Sequence, residues 1–243
     1  MNRSYYTKAI ILNLKETGES NNSVTLITPD KGIVYATLYG GPKSKLRSLV
    51  AQWHSGTVWL YDNPEKKQTK ISDFEVENYH TSFGQNLFKM YAASLAAELA
   101  IKTKCAGSNE QCHTLLQGFL DGMELCDEEQ SRLGLIRFLW RYLELMGVQP
   151  DATVVGAFAP ESNSYYNRIE NCFEEDSDGQ YNIPVSRDAL NYLASITLLQ
   201  PSQVRLLKIS KETYEELKQL VFFLLESNIE TELNSIKTGT GIL

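Results

Sequence analysis

The sequence has little to offer catalysis. It holds only three histidines (His54, His80 and His113) and four cysteines (Cys105, Cys112, Cys126 and Cys172), with no CxxC pair. Thiols scattered in this way read as reduced and mostly buried rather than as disulfides or metal ligands. His113 follows Cys112 on an expected helix, where adjacent side chains diverge by about 100°, so the two cannot act as a facing nucleophile and base. No GxSxG, HExxH or GxxxxGK[ST] pattern is present, and no spacing of carboxylates singles out an acid/base pair. Long apolar runs are also missing. The longest, Leu220–Leu225, falls far short of the roughly 18 residues of a membrane span. Met1-Asn2-Arg3-Ser4 leads only into the short run Ala9–Leu12, which is no secretory core, so a cytoplasmic location is expected and no membrane partner. Low complexity and internal repeats are absent too.

What is there suits one or two folded domains. The chain has 243 residues, 42% hydrophobic and 22% charged, enough apolar material for a core that needs no metal or disulfide staple. The net charge of −7 excludes a uniformly basic nucleic-acid binder. The charge is unevenly spread, however. Residues 1–72 carry ten Lys/Arg against five acids, whereas residues 73–243 carry 13 against 25. Such asymmetry fits a basic part that meets phosphate and an acidic part that meets protein, although charge also drifts along sequences without purpose.

The first 80 residues read as strands and tight turns. Ile10, Leu12 and Leu14 alternate with their neighbours, and Val24–Thr28 is a short β-branched run ending at Pro29-Asp30-Lys31-Gly32. That tetrapeptide has proline where a turn presets φ and glycine where it takes a positive one. In Ile33–Tyr39, Val34, Ala36 and Leu38 share one face, and Ile33, Tyr35, Thr37 and Tyr39 the other. Val58–Tyr61 and Ile71–Tyr79 supply two further strands. Five short strands in about 80 residues predict a closed OB-type barrel.

After Tyr79 the period changes from two to about 3.6. Ser82-Phe83-Gly84-Gln85 and Ser108-Asn109-Glu110-Gln111 have the form of capping boxes for helices reaching about Lys104 and Cys126. A third helix covers roughly Glu128–Met146, with Gly147 at its C-terminal cap; it is apolar nearly all round and is expected at the centre of a bundle. Ser186 and Ser210 cap later helices. The fold class is therefore α+β, with an OB domain over residues 1–80 and a helical domain over 81–243. Residues 149–183 are expected to form an irregular insertion.

Two clusters suggest binding. Lys43, Lys45 and Arg47 follow the third strand, Lys31 precedes it, and Tyr35 and Tyr39 lie between. Cations for phosphates with rings for bases suit a single nucleic-acid strand. The same residues would equally serve as solvated loop lysines and surface tyrosines. Arg137 and Arg141, four apart on the third helix, share a face, with Arg132 near its start. Charges on a buried helix need partners. These would be an intramolecular acid such as Glu144, or the carboxylates of another protein received in a basic groove.

Several segments together resemble the bacterial RecO family of recombination mediators. They are Lys8–Leu12, Gly18-Glu19, Val24–Pro29, Gly32, Gly40–Arg47, Arg137-Phe138, Leu143–Asp151, Val185–Leu190 and Glu232–Ile236. The resemblance implies binding of single- and double-stranded DNA, annealing of strands, and loading of a RecA-type recombinase onto DNA covered by single-stranded-DNA-binding protein (SSB). It implies RecR and the SSB C-terminal tail as partners and no enzymatic activity. It places Lys43, Lys45 and Arg47 in a DNA-contacting loop, and Arg132, Arg137 and Arg141 in the region that accepts the SSB tail. Many relatives carry four cysteines after the G-x-x-P segment as a zinc site; here only Cys172 lies in that insertion, so no zinc or other cofactor is expected. The alternative function is a protein-interaction scaffold whose barrel binds no nucleic acid.

Overall fold

A computed structural model describes residues 3–17, 21–41, 44–176, 179 and 182–243. Five strands, β1 (Ser4–Thr17), β2 (Asn21–Thr28), β3 (Gly32–Tyr39), β4 (Ser55–Asn63) and β5 (Gln68–Asn78), close into a barrel of order β1-β2-β3-β5-β4. The strands follow the alternation of the sequence. Ile11, Val24, Leu26, Ala36, Leu38, Val58, Leu60, Ile71 and Phe74 point inward and are buried. Gly32 takes φ +67 at the β2–β3 turn, as the Pro-Asp-Lys-Gly tetrapeptide requires. Between β3 and β4, the short helix α1 (Lys45–Leu49) lays Leu46 and Leu49 against the barrel core.

The helices follow. They are α2 (Leu87–Lys102), α3 (Asn109–Leu125) and α4 (Glu128–Leu145), then α5 (Arg187–Leu198), α6 (Pro201–Val204), α7 (Lys211–Asn228) and α8 (Asn234–Thr238). The first of these starts later than its serine suggested. Thr81–Gly84 is a 3-10 turn, because Glu124 takes Ser82 away from capping: the Ser82 hydroxyl donates to Glu124 Oε2 at 2.6 Å. Asn86 caps α2 instead, its side chain accepting from Lys89 N at 2.9 Å. Ser186 and Ser210 cap α5 and α7 as expected.

Compactness divides the chain into two units. One runs to Ser131 and includes Leu233–Leu243; the other is Arg132–Glu232. Helices α2 and α3 thus group with the barrel. His80 is one link between them: its Nδ1 lies 2.6 Å from Trp53 O and its Nε2 2.7 Å from Asp121 Oδ1 on α3. The end of the chain returns to α2 through Glu98, which accepts from Asn234 N at 2.9 Å and Ser235 N at 2.8 Å and pairs with Lys102 at 2.8 Å.

In the second unit the described part of the segment expected to be irregular contains regular structure. Strands β6 (Ser164–Asn167), β7 (Cys172–Glu175) and β8 (Asn182–Pro184) form a sheet of order β7-β6-β8. Runs of three or four residues are too short for periodicity to register. Aromatic packing supplies what sequence pattern lacks. The Tyr166 ring lies 5.7 Å from Phe173 and 6.3 Å from Phe223 on α7, and Arg187 donates to the carbonyls of Val155, Phe158 and Ala159. Among the described residues no group of three or more His, Cys, Asp or Glu could hold a metal, and burial with nearby Glu174 and Glu170 pushes the Cys172 thiol up, away from the thiolate a metal needs. No helix among the described residues is long and apolar enough to cross a membrane.

His80→Ala leaves the buried Trp53 carbonyl unpaired, and urea denaturation should report a loss of about 1–3 kcal/mol with unchanged m. Burial pushes the Glu98 carboxyl up, but its bonds to Lys102, Ser235 and Asn234 outweigh this and hold it below the usual glutamate range. A carboxyl depressed in the folded state adds stability above its unfolded pKa, and that stability is lost as pH falls through the native value. The protection factors of the Asn234 and Ser235 amides, taken relative to the intrinsic exchange rate at each pH, should therefore fall in acid, and Glu98→Gln should remove that dependence.

Candidate nucleic-acid interface

The barrel carries a cleft of about 620 Å³ lined by Tyr39, Leu46, Tyr61, Asn63, Lys66, Gln68, Lys70, Ile71 and Ser72. Its existence follows from the pairing. Strands β3 and β5 run parallel and meet only at Ala36↔Thr69 and Thr37↔Lys70. Beyond that point β3 continues to Tyr39 and β5 to Asn78 without pairing to each other, and α1 packs against β5. The β4–β5 hairpin, paired Tyr61↔Lys70 and Asn63↔Gln68, forms the other wall. Lys70 Nζ stands 4.7 Å over the Tyr61 ring, and Gln68 Nε2 donates to Tyr39 Oη at 2.7 Å. Exposed cations and two rings therefore share one concavity. Ammonium groups can take phosphates there, and the rings offer π-faces to bases.

The residues expected from sequence are only partly gathered here. Tyr39 lines the cleft, and exposed Lys45 is the neighbour of Leu46 at its edge. Tyr35, 63% exposed, shares the outward face of β3 but not the cleft. Arg47 is half-buried, donating to Gly40 O and Glu16 Oε1 at 3.4 Å each. Lys31 is not among the lining residues; it lies over the Tyr5 ring at 3.5 Å and 3.4 Å from Asp62, which stands between Tyr61 and Asn63 of the cleft wall. Burial pulls its ammonium down, but the Tyr5 phenol and the Asp62 carboxylate outweigh this and raise it. Lys43 lies outside the described residues. Arg3 and Lys8 also face acids, Glu65 and Glu77. Among the described residues of 1–72, Arg3, Lys8, Lys31 and Arg47 are thus paired with acids, while Lys66, Lys67 and Lys70 stand exposed on the β4–β5 hairpin and Lys15 and Lys45 elsewhere.

Sequence reasoning missed Tyr61, Lys66, Gln68 and Lys70 as site residues. A signal was present, since Lys66-Lys67-Gln68-Thr69-Lys70 follows a turn and precedes a strand. Nothing in the sequence says that this hairpin meets the end of β3.

The three arginines of α4 all have partners within the second unit. Arg132 hydrogen-bonds Tyr214, whose phenol burial pushes up against the opposing pull of that arginine. Arg137 donates to Tyr192 Oη at 3.0 Å and Val204 O at 3.2 Å, and Arg141 to Ile196 O at 2.8 Å. They tie α4 to the later helices. Two positions beyond the carbonyls they hold, Leu198 and Leu206 are 70% and 80% exposed, with exposed Arg205 between them in sequence.

A closed five-stranded barrel of this strand order, followed by helices, defines an OB-type protein with a helical region. Residues 1–80 match the family model "Recombination protein O N terminal", and residues 84–237 match "Recombination protein O C terminal". The chain belongs to the RecO family. It is similar to proteins named DNA repair protein RecO from Synechococcus elongatus and from a second Synechococcus strain, each 29% identical over 103 residues. That region is 42% of this chain and covers 38% of the length of either relative.

Proposed function

We propose that the protein binds DNA through the barrel cleft and acts in recombinational repair as a mediator, annealing single strands and helping a RecA-type recombinase onto SSB-coated DNA. The observation that carries this is the cleft itself, in which Tyr39 and Tyr61 lie among Lys66, Gln68 and Lys70. Family membership supports the repair context. The barrel domain, residues 1–80, meets single- and double-stranded DNA; the helical domain, residues 81–243, meets protein partners, with RecR and the SSB tail expected.

Annealing of this kind needs no catalytic residue. Lysines neutralise phosphates and lower the repulsion between two strands, and bases left partly accessible can then pair. The open side of the cleft leaves room for the second strand.

For the SSB tail, an acidic peptide, the supporting features are Arg137 and Arg141, with exposed Leu198 and Leu206 two positions beyond the carbonyls they hold. A guanidinium has five donors, so each arginine can bond a carbonyl and still offer donors to a carboxylate. Arg132 and Arg205 add charge at the same helices.

The first test is anisotropy of a labelled oligothymidylate across a salt series. Lys66→Ala with Lys70→Ala should weaken binding and flatten the slope of log K against log salt by about 1.4, as expected for two lost contacts to a single strand. Tyr61→Ala should cost about 1–3 kcal/mol at any salt. Equal behaviour of all variants would move the site, and no binding at low salt would leave a protein scaffold. The second test is capture of a peptide with the SSB tail sequence. Arg205→Ala, which leaves the packing bonds of α4 in place, should weaken capture severalfold while DNA binding is unchanged.

A further inference from the structure

The outer face of the barrel changes character one row beyond the cleft. In the row of Ser4, Tyr61 and Lys70 the charge is positive. A register shift on β5 then brings Asp73 opposite Trp59. Across β1, β4 and β5 the next row reads Tyr6, Trp59, Asp73, and the one after it Lys8, Thr57, Glu75. Phe74 points into the core, so Asp73 and Glu75 point out, and both are exposed.

Two features stand out in this block. Tyr6, 70% exposed, is paired with half-buried Trp59, their ring centroids 6.1 Å apart and tilted by 33°. Paired aromatics on a solvated sheet face are the residue types that anchor protein interfaces. The rim beside them is acidic. The cation Lys8 is held by Glu77, which also accepts from Thr57 Oγ1 at 3.2 Å, leaving Asp73 and Glu75 to face solvent. Phosphates are repelled by such a rim, so a polynucleotide in the cleft should stop at Tyr61. A guanidinium is suited to the block on both counts. It stacks on Trp and Tyr faces and forks onto carboxylates.

We propose that the Tyr6–Trp59–Asp73–Glu75 face is a docking surface for an arginine-bearing segment of a partner protein, separate from the nucleic-acid cleft. It does not depend on what the cleft binds. A partner seated here would lie one strand-row from anything held by Tyr61 and Lys70, close enough to hand over or receive a nucleic-acid strand.

Tryptophan fluorescence of the full chain tests this directly. Trp53 and Trp140 are 6% and 0% exposed, so quenching by acrylamide reports mainly on Trp59. An arginine–glycine repeat peptide at physiological salt should protect Trp59 saturably, and a lysine–glycine peptide should do so less well. Tyr6→Ala leaves the net charge unaltered and removes an exposed ring; it should weaken the peptide by about tenfold. Asp73→Asn with Glu75→Gln should weaken it at least as much. Thermal melting checks that each variant is folded. Equal peptide affinity in Tyr6→Ala would reduce the effect to general charge attraction and overturn the proposal. So would protection of Trp59 by oligothymidylate but not by the peptide, which would make the row part of the nucleic-acid path, or protection by neither.

Discussion

Closure of the barrel between β3 and β5 is the contact on which the candidate site depends. The other strand pairs are antiparallel and extend over seven or more residues, whereas this parallel one is made by two. Because it is so short, β3 and β5 stop pairing beyond Thr37 and Lys70 and leave a gap that the hairpin and α1 line rather than fill. Tyr39, from the end of β3, then comes within reach of Gln68, and Lys70 is set beside Tyr61. A longer ladder would have zipped the gap shut. Inward packing of Leu38, Leu60 and Ile71 holds the closure in place, so the hydrophobic core positions groups that never enter it.

Electrostatics then separates one side of the barrel from another. Arg3, Lys8, Lys31 and Arg47 face acids, and these exposed pairs contribute little to stability. Their effect is to cancel charge locally, while Lys66, Lys67 and Lys70 on the hairpin stay exposed. Along β5 the sign reverses between Lys70 and Asp73, within a single strand. A barrel of fewer than 80 residues can thus present two faces of opposite preference without any change of fold.

The helical part shows the same economy with arginine. Arg141 satisfies the Ile196 carbonyl near the end of α5, where helical donors run out, and Arg137 gives the Val204 carbonyl a second donor beside Leu207 N. Trp140, between them, donates to Thr197 at 3.1 Å. One face of α4 therefore organises α5 and α6, whatever else its guanidinium groups receive.

Strand alternation, the turn at Pro29–Gly32 and the serine caps at 186 and 210 were legible in the sequence, because each depends on a few neighbouring residues and their dihedral preferences. So was membership of a five-stranded barrel class. The cap at Ser82 was misread because Glu124, 42 positions away, takes its hydroxyl. The sheet at residues 164–184 was invisible because its strands are too short to show a period. Half of the candidate site was missed for a similar reason. Lys66 and Lys70 lie about 30 positions from Tyr39 in sequence, and only long-range strand pairing brings them to one cleft. Local order was thus determined by the sequence on its own; which charges share a surface was decided only in three dimensions, since Coulomb attraction and ring stacking act through space between segments that chain closure alone brings together.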